Sequence, residues 1–210
     1  VTVRACRGTL GLSDVLIDLT CDYCSVELDG QNPHDELFAH SGMYRAATNL
    51  TSPQSTVHEA LVSALERWPA YGLVVAGHSL GGGVAGLLSI ISSMPAEKFV
   101  AQNAARSKPV EYPPITTPFV TSFKSHLPAG RPIHCYTYGI PAVASSDLAQ
   151  YAKGLITSVV HNTDVVPTLS LGLLRDLKYA ALTLWEDCDR AEEIIARVSE
   201  CACPVCGGQC

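Results

Sequence analysis

The chain predicts an α/β fold with a mostly parallel sheet flanked by helices, and three observations carry that prediction. Apolar runs of four to six residues alternate with helical patterns, the order in which crossover helices link parallel strands. The runs are mostly apolar throughout, as in strands covered on both faces. Between the second run and a long glycine-rich apolar segment stands Gly77-His78-Ser79-Leu80-Gly81. This G-x-S-x-G pattern joins a strand to a helix through one tight turn and lifts the serine hydroxyl above the sheet.

Along the chain, Val1–Cys6 is the first strand, and it opens with no initiator methionine, so the domain is expected to be truncated at both ends. Arg7-Gly8-Thr9 forms a loop at that strand's carboxyl edge. Leu12, Val15, Leu16 and Leu19 then have the spacing of an amphipathic helix. Such a helix fits a lid that opens onto lipid or an ordinary core-facing helix. Ser52-Pro53 starts the next helix, because serine caps free N–H groups and proline suits the first helical position. Val57, Leu61, Ala64 and Leu65 form its apolar stripe, His58 is a surface or packing residue, and Trp68-Pro69 closes it. Leu73–Ala76 is the second strand, and the segment from Gly82 to Ile91 is a buried helix. Ile133–Tyr138 and Ile156–His161 are the third and fourth strands. Ser145-Ser146-Asp147 between them reads as a helix N-cap. Leu171–Lys178 and Glu186–Ser199 are amphipathic pieces.

Residues 94–132 break the rhythm with seven prolines, and they are basic, with Lys98, Arg106, Lys108, Lys124 and Arg131 against Glu97 and Glu111. A connection this long reads as a mobile gate over the site that touches anionic headgroups, or as a solvated irregular crossover. Composition excludes other classes. A net charge of −6 with only 14 lysines and arginines argues against nucleic acid. The greasiest stretch, Leu73–Ile91, holds His78, Ser79 and five glycines and cannot span a bilayer. Nine cysteines cannot all pair within one chain, so reduced buried thiols on the cytosolic side are expected. The C-x-C-x-x-C-x-x-x-C tail, residues 201–210, has no second pair at zinc-finger distance. It reads as a cysteine-rich loop, with zinc binding through its thiolates as the alternative.

A serine nucleophile needs a base, normally histidine, and a carboxylate to orient it. In the α/β-hydrolase order, Ser precedes Asp or Glu, which precedes His. Asp164 is the expected acid, since it follows a buried strand and the turn residues Asn162-Thr163, and Val165-Val166-Pro167 stiffens the segment after it. Ligand chemistry in open α/β sheets gathers at that edge. None of the seven histidines follows Asp164. His161 is too near the aspartate, His134 reads as a packed core residue, and His126 would have to swing in from the insert. The base then lies beyond Cys210, or the chain is inactive as it stands. The oxyanion donors are expected to be the Leu80 N–H and Thr9, through its N–H and hydroxyl.

Five blocks resemble the class 3 lipases, the fungal triacylglycerol lipase-like α/β-hydrolases. They are Arg7-Gly8-Thr9 with Ser13, Asp14 and Asp18; His40-Ser41-Gly42-Met43; Gly77 to Gly82; Tyr136 to Pro141; and His161 to Pro167. They stand in the family's order and span positions 7 to 167. Asp14 to Thr20 and His40 to Met43 look most like the sn-1-specific diacylglycerol lipases, and the 94–132 insert resembles their regulatory loop. The resemblance implies a partial lipase domain over residues 1–200, with Ser79 as nucleophile, Asp164 as acid, Thr9 and Leu80 on the oxyanion, and no metal or organic cofactor. It implies an acylglycerol substrate at a membrane surface, and a parent anchored by helices upstream of Val1 with a cytosolic catalytic domain; secretion is the alternative. It also places the triad histidine well downstream of the aspartate. Two other functions fit the same blocks: a non-catalytic lipid-binding scaffold, and a hydrolase of non-lipid esters.

Overall fold

The strands are β1 (Thr2–Cys6), β2 (Tyr23–Ser25), β3 (Phe38–His40), β4 (Leu73–His78), β5 (Ser93–Pro95), β6 (Phe119–Thr121), β7 (Ile133–Tyr138) and β8 (Ile156–Val159). They come from a computed structural model that describes residues 1–7, 22–28, 36–186, 190, 192–194, 196 and 197. The Gly8-Thr9 part of the first loop, the amphipathic pattern at 12–19 and the cysteine tail at 201–210 lie outside the described residues. Two compact units are present, Val1–Leu171 and Gly172–Cys210.

The four expected strands form one parallel sheet in the order β1-β4-β7-β8. Register aligns Cys6 with Gly77 and Thr137, and Tyr138 with His78 and Val159, so the carboxyl ends share one edge. Three helices follow from local signals in the first half of the chain. His40 caps α1 (Ser41–Thr51) by accepting the Met43 N–H on Nδ1 at 3.4 Å. Ser55, not Ser52, caps α2 (Thr56–Arg67), its Oγ accepting the Val57 N–H at 3.2 Å. Ser52-Pro53 instead ends α1: a residue before proline is pushed out of the helical region, and Ser52 is extended at ψ 135. The helix after the serine, α3 (Leu80–Ser92), is buried along most of its length.

The main core lies between the sheet and these helices, built from Leu61, Leu65, Leu73, Val75, Leu87, Leu88, Ile133 and their neighbours. The opposite face is open among the described residues, with Val3, Tyr136, Tyr138 and Val159 exposed. Burial in β7 therefore alternates, with Ile133, Cys135 and Thr137 inside. This corrects the reading of His134 as a core residue. It is only half-buried on the alternate face, its Nε2 2.9 Å from Thr157 Oγ1 and its ring against Tyr136. His58 is a packing residue, buried with Nε2 3.0 Å from Ser125 O.

Residues 94–132 are more structured than their prolines suggested. β5 pairs with β6, α4 (Ala96–Ala104) lies between them in sequence, and Met94, Phe99 and Val120 form a second buried cluster with Val110, Ile115 and Phe123. The Asn103 side chain holds the proline-rich return, donating to Val110 O at 3.0 Å and accepting its N–H at 2.9 Å. The insert leaves from the last turn of α3 and rejoins at the amino end of β7. A 13-residue helix is about 20 Å long, so these residues sit at the amino edge of the sheet, away from Ser79 rather than over it. Helix α5 (Ser146–Tyr151) belongs to the first unit, and α6 (Leu171–Glu186), which enters the second unit at Gly172, exposes Leu177, Tyr179, Leu182 and Trp185. No helix among the described residues is long and apolar enough to cross a membrane.

Two predictions follow from packing. A Cβ at Gly81 would lie 2.4 Å from Arg7 O and 2.6 Å from Cys6 O, whereas one at Gly86 would meet Ile156 Cδ1 at 3.4 Å and Ile140 Cδ1 at 4.0 Å. Gly81→Ala should cost about 3 kcal/mol or more, and Gly86→Ala should gain about 0.5–1 kcal/mol from helix propensity, both read by denaturant unfolding. Burial pushes the Cys135 thiol up to about 11. A raised thiol pKa contributes stability below the unfolded value near 9 that is lost as pH rises towards 11. Unfolding titrations should show about 2–3 kcal/mol of alkaline loss from this group, absent in Cys135→Ala.

Candidate active site

Ser79 occupies the turn between β4 and α3 with φ 53 and ψ −130. A residue with a Cβ at positive φ is strained, typically by about 1–3 kcal/mol, and persists only where its surroundings enforce it. Here the Ser79 N–H donates to Tyr138 O at 2.9 Å, and Ser79 O accepts from Gly82 N–H at 2.8 Å and Gly83 N–H at 3.2 Å. Glycine at 77 lets the turn close: a Cβ there would lie 2.2 Å from Gly81 O. Leu80 is the first residue of α3, so its N–H has no intrahelical acceptor and shares the positive end of the helix dipole.

Asp164 lies beyond the end of β8, two strands from β4. Its N–H donates to His161 O at 3.0 Å, and Oδ1 accepts the Val166 N–H at 3.0 Å, as Val166–Thr168 begins a 3-10 turn. Its other oxygen reaches back over β7. A Cβ at Gly139 would stand 2.6 Å from Asp164 Oδ2 and 3.8 Å from His78 Nε2. Gly139 has φ +52, and its N–H donates to Val159 O at 3.0 Å. Glycine at this position therefore permits both the backbone turn and the approach of the carboxylate towards the β4 end.

The structure thus brings Ser79, Leu80 and Asp164 to one sheet edge. Thr9 lies outside the described residues. Asp147 is held elsewhere, its Oδ2 accepting the Glu36 N–H at 3.0 Å in the first turn of α5, beside the cap Ser145. His161 is exposed, and His126 is exposed within the insert at the other edge. The nearness of His78 and Gly139 to the carboxylate was not read from sequence. The register of His78 against Tyr138 creates it, and no local motif encodes that pairing. Beside the site, a largely apolar cavity of about 690 Å³ runs between α3, α5 and β8, with Ile90, Ile140, Val143, Ile156, Val160 and Pro167 in its wall. Of the described thiols, Cys135 is buried and Cys6 and Cys24 are half-buried, all free.

A serine on a strained strand-to-helix turn over a parallel sheet, with an acid after a later strand, defines the α/β-hydrolase architecture. The chain belongs to the class 3 lipase family, whose family model, Lipase (class 3), matches residues 3–173. It is 29% identical to mouse diacylglycerol lipase-beta over 190 residues, covering 90% of this chain and 23% of that protein. It is 27% identical to human diacylglycerol lipase-alpha over 205 residues, 95% of this chain and 16% of that one. The chain therefore spans less than a quarter of the length of these relatives. Among solved structures, the Lip2 lipase of Yarrowia lipolytica aligns with TM-score 0.49 and 19% identity over 78% of this chain and 51% of that one. The Rhizomucor miehei lipase propeptide complex aligns with TM-score 0.47 and 22% identity over 78% and 42%.

If the backbone at Ser79 stores strain, removing the Cβ should release it. Ser79→Gly is expected to be more stable than Ser79→Ala by about 1 kcal/mol, the strain relief less the unfolded-state entropy of glycine. Equal unfolding midpoints for the two variants would mean that the turn is unstrained.

Proposed function

We propose that this domain is a serine acyl-ester hydrolase acting on diacylglycerol or related acylglycerols at a membrane surface. One observation carries the reading: Ser79 is held at positive φ at the same sheet edge to which Asp164 presents Oδ2 across Gly139. The names of the relatives favour a glyceride substrate, and the apolar cavity has room for part of an acyl chain.

In this mechanism Ser79 Oγ attacks the ester carbonyl while a histidine, oriented by Asp164, takes its proton. The tetrahedral oxyanion is held by the Leu80 N–H and by Thr9. The same histidine then protonates the departing glyceride oxygen. Water, deprotonated by that histidine, cleaves the acyl-enzyme and frees Ser79 and the fatty acid. We place the histidine beyond Cys210, because none in the chain follows Asp164. Of the six described histidines, His40 caps α1, His58 packs on Ser125 and His134 bonds Thr157, while His78, His126 and His161 also precede Asp164 in the chain.

Release of fatty acid from a diacylglycerol in vesicles, measured on the protein that carries this domain, checks the assignment. Ser79→Ala and Asp164→Asn should each lower kcat about ten-thousand-fold without loss of folded structure. Hydrolysis that survives Ser79→Ala would remove the proposed nucleophile, and a folded wild type with no esterase activity would favour a lipid-binding scaffold.

A further inference from the structure

One residue of the Gly77–Gly81 elbow has no part in the mechanism: His78, the last residue of β4. The two-residue period of the strand buries Leu73, Val75 and Gly77 against the core and turns Val74, Ala76 and His78 to the other face. His78 is therefore exposed, although Ser79 follows it directly. Parallel register sets Tyr138 beside it on β7 and Val159 next to Tyr138 on β8.

Asp164 reaches over the end of β7 towards this histidine. The point that a Cβ on Gly139 would occupy is 2.6 Å from Asp164 Oδ2 and 3.8 Å from His78 Nε2. The two atoms are therefore no farther apart than those distances laid end to end. No direct hydrogen bond joins them among the described residues. Over such a gap an imidazolium acts on a carboxylate through its charge, and a neutral ring acts through one bridging water. Nε2 is a donor in the imidazolium and in the neutral Nε2–H tautomer alike.

The carboxylate has room for this partner. Oδ1 accepts the Val166 N–H at 3.0 Å, whereas Oδ2 accepts from no described residue. The Gly139 N–H is given to Val159 O at 3.0 Å, and His161 bonds Asp164 only through its carbonyl, which accepts the Asp164 N–H. Each carboxylate oxygen carries two lone pairs, so Oδ2 can take the triad histidine and a second donor together. A side chain at 139 would stand between Oδ2 and the imidazole, and glycine keeps that gap open.

We propose that His78 is a positioning residue for Asp164: across Gly139 its Nε2 holds Oδ2 in the orientation that the triad histidine needs. The assignment rests on the reading of Ser79 and Asp164 as nucleophile and acid. In this role His78 moves no proton of the reaction and acts only through Asp164.

Hydrolysis of diacylglycerol in vesicles by the protein that carries this domain, arranged as a double-mutant cycle, provides the test. His78→Ala should lower kcat about ten- to a hundredfold, the effect of a slightly misplaced catalytic group, with KM unchanged. His78 is exposed, so the unfolding midpoint should stay in place. His78→Gln, which keeps an N–H donor on a side chain of similar reach, should recover most of the loss. In the Asp164→Asn background, His78→Ala should lower kcat no further, because the carboxylate it orients is already gone. The same loss of kcat in the wild-type and Asp164→Asn backgrounds, a loss confined to KM, or full activity of His78→Ala would overturn the assignment and leave the nucleophile in place. A folded wild type without hydrolysis, or hydrolysis that survives Ser79→Ala, would overturn it together with the reading on which it rests.

Discussion

The backbone-to-backbone approach of the first turn of α3 onto the ends of β1 and β4 underlies the rest of the structure. With no side chain at 77 and 81, the carbonyls of Cys6, Arg7 and Gly81 come within distances that a Cβ would forbid. That closeness forces Ser79 into positive φ, because the chain must reverse from strand to helix within one residue. The same turn sets Leu80 at the dipole end of a helix whose later turns are buried against the sheet. Core packing and site geometry are thus one constraint, and loosening the helix would move the serine.

The position of Asp164 depends on that frame through β7. Gly139 follows β7, so Asp164 Oδ2 can approach it from the β8 side while Tyr138 O holds the Ser79 N–H from the β4 side. A single strand end therefore meets both Ser79 and Asp164. The insert hangs from the other end of the sheet, where α3 finishes and β7 begins. Its cluster around Phe99 stands apart from the core under Ser79.

Most of this was legible in the sequence where chemistry is local. The four parallel strands, the elbow at Gly77–Gly81, the buried helix after it and the cap at Ser145 rest on short-range patterns, and each stands where its residues indicated. Errors came where one local signal had two readings. Ser52-Pro53 suits a helix start as well as a helix stop, and the extended backbone at Ser52 decides for the stop. His134 sits in an apolar run, but the two-residue period of a strand turns it away from the core. The insert was illegible for a different reason. Its order comes from non-local contacts, Asn103 to Val110 and β5 to β6, that its prolines conceal. Likewise, the approach of His78 and Asp164 to Gly139 depends on strand register rather than on any motif.

Covalent labelling tests the central claim most directly. The protein carrying this domain is treated with a fluorophosphonate, digested, and the adduct mapped by peptide mass spectrometry. The expected result is a single adduct on Ser79, formed slowly in Asp164→Asn and absent from Ser79→Ala. A folded protein that takes no label at Ser79, or takes it on another residue at an undiminished rate in Ser79→Ala, would contradict the assignment of this strained turn as a nucleophile.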